Sequence, residues 1–135
     1  MKLSQASRYA VQAVGYLAGR GEGPPVPSHL IARACGLPEL FLLKVLRSLA
    51  NARLLRSLKG PHGGYALARP AAKVTLLEVV EAVDGPIRGQ APLAQDSVKG
   101  RGDLDRRLEE VCERAAEAVR KQLGKARLSD LAEAK

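Results

Sequence analysis

Apolar residues recur at three- and four-residue steps along most of the chain, a spacing that predicts a mainly α-helical protein. Residues 4–19 show this spacing first, with Ser4 in a capping position and an apolar face made of Ala10, Ala13, Val14 and Leu17. The glycines and prolines of residues 19–25 predict the end of this amphipathic helix and a loop after it.

The next two helical segments lie close together in the sequence. Residues 29–35 predict a short helix that Ser28 caps and Gly36 ends. A longer helix is predicted over residues 38–52, with Pro38 in its first turn. The side opposite its apolar face carries Glu39, Lys44, Arg47, Ser48 and Asn51. Two such helices joined by a tight turn predict a helix-turn-helix, whose second helix can enter a DNA major groove.

Residues 56–69 predict a short basic β-hairpin directly after these helices. Pro61 and the adjacent Gly63 and Gly64 supply the turn. The apolar residues of its arms are Leu54, Leu58, Tyr65 and Leu67. A hairpin in this position is typical of the wing of a winged helix-turn-helix, which makes DNA the first partner to consider.

Two more helices are predicted after the wing. Thr75 can cap a helix over residues 76–83, and residues 86–103 predict a flexible loop. Residues 104–123 predict a helix about 30 Å long. Its apolar stripe consists of Leu104, Leu108, Val111, Cys112, Ala115, Val119 and Leu123. One helix cannot bury this stripe alone, so we expect it to pair with its copy in a homodimer.

The expected organisation has three parts. Residues 1–85 form a winged helix-turn-helix DNA-binding domain, residues 86–103 a flexible loop, and residues 104–135 a dimerisation helix with a C-terminal tail. The fold class is therefore mainly α with one small β-hairpin.

Positive charge is concentrated in the predicted helix-turn-helix and wing. The chain carries 22 Lys and Arg against 14 Asp and Glu, a formal net charge of +8. Residues 33–73 hold eight bases and one acid, Glu39, which leaves +7 in this segment. Such a field attracts the phosphate backbone of DNA, and binding driven by it weakens steeply with salt. A solvated surface without a partner is the alternative interpretation.

Other classes of function find little support in the sequence. No apolar run reaches the roughly 18 residues of a membrane span, and the first residues lack a secretory signal, so we expect a cytoplasmic protein. No nucleophile triad or paired carboxylates indicate an enzyme. Cys35 and Cys112 lie in helical patterns and are expected to be small apolar residues rather than metal ligands, with oxidation of Cys112 as the alternative.

Several segments together resemble the Rrf-two (Rrf2) family of bacterial winged-helix regulators, which includes the IscR, NsrR and CymR types. These segments are Leu3-Ser4, Arg8-Tyr9-Ala10, Ile31-Ala32, Phe41-Leu42, the wing at 59–69 and the helix at 75–85. The Gly-Pro-His-Gly-Gly-Tyr wing followed by Val-Val-Glu-Ala-Val-Asp-Gly is the most specific combination. The resemblance covers residues 1–85 well and the remainder loosely.

The resemblance implies a homodimeric transcription factor, a repressor by analogy, that binds double-stranded DNA at a pseudo-palindromic operator. The helix over residues 38–52 would read the major groove, and the wing would meet phosphates or the minor groove. The implied DNA-binding residues are Ser28, Glu39, Lys44, Arg47, Ser48, Arg56, Lys59, Gly60, His62, Gly63, Gly64 and Arg69.

The chain departs from the family at specific positions. Many members hold an iron–sulfur cluster with three cysteines in the loop that corresponds to residues 86–103, and this loop has none. We therefore expect no cluster, no metal and no other cofactor. Arg53 stands where the family commonly has glycine, so the preceding helix must end without a glycine cap. Arg127 replaces a threonine, which weakens a helix cap.

The sequence leaves the class and the signal open. The alternative function is a protein-interaction adaptor that keeps the winged-helix fold without reading DNA, although the basic segment argues against it. A regulator of this type can respond to a small-molecule or protein effector, to oxidation of Cys112, or to no signal at all.

Overall fold

Helices make up most of the described chain, which comprises residues 2–21, 23–89 and 102–133 of the computed structural model. A short 3-10 helix, Ala71–Lys73, follows the hairpin. The other elements of these residues are α1 (Gln5–Gly19), α2 (Ser28–Cys35), α3 (Glu39–Asn51), β1 (Leu55–Leu58), β2 (Gly64–Leu67), α4 (Leu76–Asp84), α5 (Gly102–Lys125) and α6 (Leu128–Glu133). The predicted fold class, mainly helical with one hairpin and a long C-terminal helix, is confirmed.

Two of the predicted helix caps are present. The Ser4 hydroxyl accepts a hydrogen bond from the Ser7 N–H at 3.0 Å, which satisfies a donor at the start of α1. Thr75 and Glu78 form a capping box at α4, since the Thr75 hydroxyl accepts from the Glu78 N–H and the Glu78 carboxylate accepts from the Thr75 N–H. The start of both helices is therefore encoded locally.

The prediction that Ser28 caps α2 is wrong. The N-cap is Pro27, whose carbonyl accepts from the N–H groups of Leu30 and Ile31, and Ser28 is the first helical residue. Pro38 is likewise the N-cap of α3 rather than a residue of its first turn. In both cases the extended backbone of the proline precedes the helix, so each helix begins one residue after it.

The ends of α2 and α3 share one geometry. Gly36 follows α2 with φ +67°, and the Leu37 N–H reaches back to the Ala32 carbonyl at 2.9 Å. Arg53 follows α3 with φ +64°, and the Leu54 N–H reaches back to the Leu49 carbonyl at 3.0 Å. Both turns are Schellman motifs with a left-handed residue. The motif after α3 therefore forms without glycine, and it leads the chain directly into β1.

The core is built around α1, which packs against α2, α3, α4 and α6. The buried apolar residues of this core are Ala10, Ala13, Val14, Leu17, Val26, Ile31, Ala32, Leu42, Val45, Leu46, Leu49, Leu54, Leu55, Tyr65, Val74, Val79 and Leu128. Ser7 is the one buried polar residue among the described positions, and its hydroxyl donates to Asp84 at 2.6 Å. The small residues of α1 let the surrounding helices approach closely.

The chain returns to this core after α5. The Leu76 N–H donates to the Ala126 carbonyl, and the Leu128 N–H donates to the Val74 carbonyl at 2.8 Å. The buried Leu128 places α6 against α1. Sequence periodicity predicts only a tail here, and the described start of α5 at Gly102 shortens the predicted loop by two residues. Residues 90–101 of that loop lie outside the described residues.

Candidate nucleic-acid interface

One face of α3 is held against the core while the opposite face is exposed. Leu42, Val45, Leu46 and Leu49 are buried. At about 100° per residue, the direction opposite to them is occupied by Leu40, Lys44, Arg47 and Asn51, all of them exposed. We call these four residues the outer stripe of α3. The helix-turn-helix prediction placed Lys44 and Arg47 correctly on the outward side, and it did not include Leu40.

The other two predicted residues of α3 lie beside the outer stripe. Glu39 is exposed in the first turn. Ser48 is half-buried, and its hydroxyl donates to the Lys44 carbonyl one turn earlier at 3.2 Å. The ring of Phe41 packs edge-on against Tyr9 of α1, with ring centroids 5.3 Å apart. This aromatic contact helps to fix the start of α3 on the core.

The wing is paired on both sides of β2. Its register places Arg56 opposite Ala66, Ser57 opposite Tyr65 and Leu58 opposite Gly64. On the other side Val26 and Tyr65 exchange two backbone hydrogen bonds of 2.9 Å. The segment before α2 therefore anchors the hairpin to the helix-turn-helix.

Glycines at the wing tip are required by close backbone approach. A Cβ on Gly63 would lie 2.2 Å from the Leu58 carbonyl oxygen, and one on Gly64 would lie 2.4 Å from the Val26 carbonyl. Gly60 has φ +106°, and its carbonyl accepts from the Gly63 N–H at 3.0 Å. The predicted residues Gly60, Gly63 and Gly64 thus lie together at the wing tip and determine its backbone shape.

The wing residues predicted to contact DNA through long side chains fall into two groups. Arg56, Lys59 and His62 are exposed on the hairpin. Arg69 lies at its base and forms an ion pair with Glu78 of α4. Partial burial opposes ionisation of Glu78, but the Arg69 guanidinium and the Thr75 N–H together lower the pKa of that carboxyl. Arg69 is therefore paired within the protein, unlike the exposed residues of the hairpin. No local sequence pattern indicates this ion pair.

Most of the basic segment is left available to a partner. Of the eight bases in residues 33–73, Arg69 is the one that forms an ion pair within the part of the chain that the structure describes. Ser28 is half-buried at the start of α2. The outer stripe and the exposed wing residues therefore form a surface on which positive charge is not neutralised internally.

Helix α4 links the wing to α1. Its first turn holds Arg69 through Glu78, and its last residue, Asp84, accepts hydrogen bonds from the hydroxyls of Ser4 at 2.7 Å and Ser7 at 2.6 Å. A carboxylate at the N-terminus of α1 also interacts favourably with that helix's dipole. Sequence reasoning did not single out either carboxylate, because the Asp84 contacts join segments far apart in the chain and the Arg69–Glu78 pair depends on how α4 folds back on the wing.

The predicted stripe of α5 is divided by exposure. Leu104, Leu108, Val111 and Ala115 are exposed, with Leu104 at 65% and Val111 at 61%. Cys112, Val119 and Leu123 are half-buried, and α5 packs against α4. The buried alanine of the helix is Ala116 rather than Ala115. An exposed apolar line of four residues therefore runs along α5.

Residues 87–89 fasten α5 to α4. The Ile87 N–H donates to Glu81, and the Ile87 carbonyl accepts from Arg120. Arg120 also pairs with Glu113 at 2.9 Å. This ion pair and the hydrogen bond that the Gly89 N–H donates to Glu113 together lower the pKa of the Glu113 carboxyl.

Among the described helices, none combines the length and the apolar character that a membrane span requires.

Comparison with known proteins identifies the fold and its class. The sequence model of the family described as Rrf2, iron-dependent transcriptional regulator, matches residues 3–134. The chain belongs to the Rrf2 family of transcriptional regulators. The family resemblance carried by the wing and its following helix is thus confirmed.

Individual Rrf2 relatives support the assignment. Rv1287 of Mycobacterium tuberculosis, named as a candidate HTH-type transcriptional regulator, is 39% identical over 87 residues, which are 64% of this chain and 54% of that protein. The HTH-type transcriptional regulator IscR of Escherichia coli is 36% identical over 84 residues, 62% of this chain and 52% of IscR. The chain thus spans about half the length of the curated relatives it matches.

Solved structures match over the whole length. CymR, described as the global cysteine regulator of B. subtilis, superposes with a TM-score of 0.77 at 27% identity, covering 100% of this chain and 98% of CymR. The IscR of T. potens gives a TM-score of 0.74 at 26% identity, covering 100% of this chain and 89% of that one.

The cysteines of this Rrf2 protein do not fit an iron–sulfur cluster. The sequence contains two cysteines, and residues 86–103 contain no cysteine or histidine. Cys35 lies on α2 with its thiol 3.7 Å from the Gln12 carbonyl, and burial raises the pKa of that thiol. Cys112 lies on α5, and in the described ranges no three His, Cys, Asp or Glu side chains group as metal ligands. The three loop cysteines that the family resemblance implies for such a cluster are therefore not present in residues 86–103 of the sequence.

Proposed function

We propose that this Rrf2 protein is a homodimeric repressor that binds a pseudo-palindromic operator in the cytoplasm. The observation that carries the proposal is the outer stripe of α3, where Lys44 and Arg47 are exposed opposite a fully buried face. The unneutralised charge of the adjacent wing gives further support, because DNA binding needs both phosphate contacts and base contacts.

In this proposal α3 lies in the major groove. Arg47 and Lys44 contact base edges, Arg47 with the geometry that suits guanine, and Glu39 can accept from a cytosine amino group. Ser48 lies at the edge of the same surface. These residues carry the sequence preference of each half-site.

The wing and the start of α2 position the protein on the backbone. Lys59, Arg56 and His62 contact phosphates or the minor groove, and Ser28 contacts a phosphate at the start of α2. Gly60, Gly63 and Gly64 contribute the shape of the tip. Arg69 acts indirectly, because its guanidinium is bound to Glu78.

The test is a selection of binding sites from random DNA, followed by titrations at several salt concentrations. Arg47→Ala is expected to change the preferred base at one position of each half-site. Lys59→Ala is expected to weaken binding to all sequences. It should also reduce the salt slope, which is the slope of log affinity against log salt concentration, by about one. Lys121→Ala on α5, whose side chain is near Glu117, is the matched control and should leave affinity unchanged. Failure to select any sequence would contradict the proposal.

The homodimer rests on the exposed apolar line of α5, Leu104, Leu108, Val111 and Ala115. Burying this line against a second copy would bring two α3 helices to successive major grooves, about 34 Å apart. Val111→Glu is expected to yield monomers in sedimentation velocity and to lower operator affinity by more than tenfold. Arg114→Gln changes the net charge equally on another face of α5 and should stay dimeric. A dimeric Val111→Glu would exclude this interface.

Repression and its control are tested separately. A reporter under the selected operator is expected to be more active when the protein is deleted, and lower activity would indicate an activator instead. Control by a small-molecule or protein effector stays a prediction, to be tested by whether metabolite or protein fractions of a cell extract change operator affinity.

A further inference from the structure

Leu40 is the most exposed large apolar side chain in the described residues, at 82%. It is the second residue of α3 and makes no contribution to the buried face of that helix. One exposed leucine is ordinary on a protein surface. The position of this one is specific, because it precedes Lys44 by one turn and Arg47 by two on the same side of the helix.

The surroundings of Leu40 favour a nucleic acid over an apolar protein surface. The outer stripe contains two bases and no acid, and Glu39 lies to one side of it. A partner that accepts Lys44 and Arg47 must be anionic, and contact with Leu40 is favourable only where that partner offers an apolar group one turn before Lys44. In the major groove the C5 methyl of thymine is such a group, next to the phosphates and the base edges.

We propose that Leu40 packs on a thymine methyl and selects thymine at one position of each operator half-site. This inference rests on the proposed DNA-binding function and adds a base that none of the predicted residues reads. A leucine side chain can neither donate nor accept a hydrogen bond. It therefore favours thymine and disfavours cytosine, whose amino group would lose water without gaining a partner.

The experiment uses the full chain and its selected operator. Each thymine is replaced in turn by deoxyuridine, which pairs in the same way but lacks the methyl group. One thymine per half-site is expected to show about fourfold weaker binding on replacement, the effect of one buried methyl. In operators that carry cytosine instead of thymine at that position, 5-methylcytosine is expected to bind more tightly than cytosine, because its methyl group recovers part of the affinity.

The variants assign the effect to Leu40. Leu40→Ala should bind the thymine and deoxyuridine operators equally, Leu40→Met should keep the discrimination, and Arg47→Ala should keep it at this position. Thermal unfolding should be unchanged, because the side chain is exposed. If the operator is bound but no deoxyuridine effect depends on Leu40, the inference is wrong while the proposed function stands. Absence of any selected sequence would overturn both.

Discussion

The turn between α3 and the wing offers a direct test of how backbone strain affects this fold. Arg53 occupies a left-handed conformation, φ +64°, that glycine adopts at the corresponding place after α2. Relief of the left-handed strain is worth about 1–2 kcal/mol. The greater freedom of glycine in the unfolded chain offsets about 0.5–1 kcal/mol of this. We therefore expect Arg53→Gly to stabilise the protein by about 0.5–1 kcal/mol.

The matched substitution lies in the same motif at the end of α2. A Cβ on Gly36 would meet no atom within 4 Å, so Gly36→Ala introduces strain without a collision. It is expected to lower the free energy of unfolding by about the amount that Arg53→Gly raises it, roughly 0.5–1 kcal/mol. Arg53→Ala is the control for the lost guanidinium, since it removes the charge and keeps the strained φ.

Urea unfolding followed by far-ultraviolet circular dichroism measures these differences, at one protein concentration because oligomers unfold in a concentration-dependent way. The midpoint should rise for Arg53→Gly and fall for Gly36→Ala, with an unchanged slope. Equal midpoints for Arg53→Gly and Arg53→Ala would refute the reasoning, because the side chain rather than the backbone would then be responsible.

Three further predictions concern the wing and α4. Gly63→Ala places a Cβ against the Leu58 carbonyl and is expected to lower operator affinity at least tenfold in a mobility-shift titration, while the helical circular dichroism signal is retained. Asp84→Ala leaves the hydroxyls of Ser4 and Ser7, at the start of α1, without their acceptor and is expected to cost about 2 kcal/mol in urea unfolding; a cost near zero would contradict this. Glu78→Gln should be less stable than the native protein at neutral pH. The folded pKa of the Glu78 carboxyl is lowered from its ordinary value of 4.5. The stability that the ionised carboxylate contributes is therefore fully present at pH values above that ordinary pKa, and it is lost as the pH falls through the lowered pKa. The urea midpoints of Glu78→Gln and the native protein should thus converge in acid.

Local signals in the sequence were sufficient for much of this fold. The Ser4 cap, the Thr75 cap and the Gly36 stop depend on neighbouring residues, and the structure contains all three. The hairpin followed from its turn residues and apolar arms. The outward positions of Lys44 and Arg47 followed from the helical period.

Features that depend on distant contacts could not be predicted in this way. The six-residue helix α6 is too short for a clear period, and its place is determined by backbone bonds to Val74 and Leu76. Arg69 counts as an available base until α4 brings Glu78 against it. The choice between Ala115 and Ala116 as the buried residue depends on which side of α5 meets α4.

The two carboxylates of α4 relate stability to recognition. Glu78 binds Arg69 at the foot of the wing. Asp84 binds the start of α1, and α3 packs against α1 through the contact of Phe41 with Tyr9. The relative position of wing and α3 therefore depends on α4, which itself contributes no basic side chain to the proposed DNA-binding surface. Glu78→Gln should consequently weaken operator binding with little change in the salt slope, whereas Lys59→Ala should reduce that slope by about one. A salt slope that increases by about one for Glu78→Gln would show that the released Arg69 contacts phosphate directly and that the ion pair is not what positions the wing.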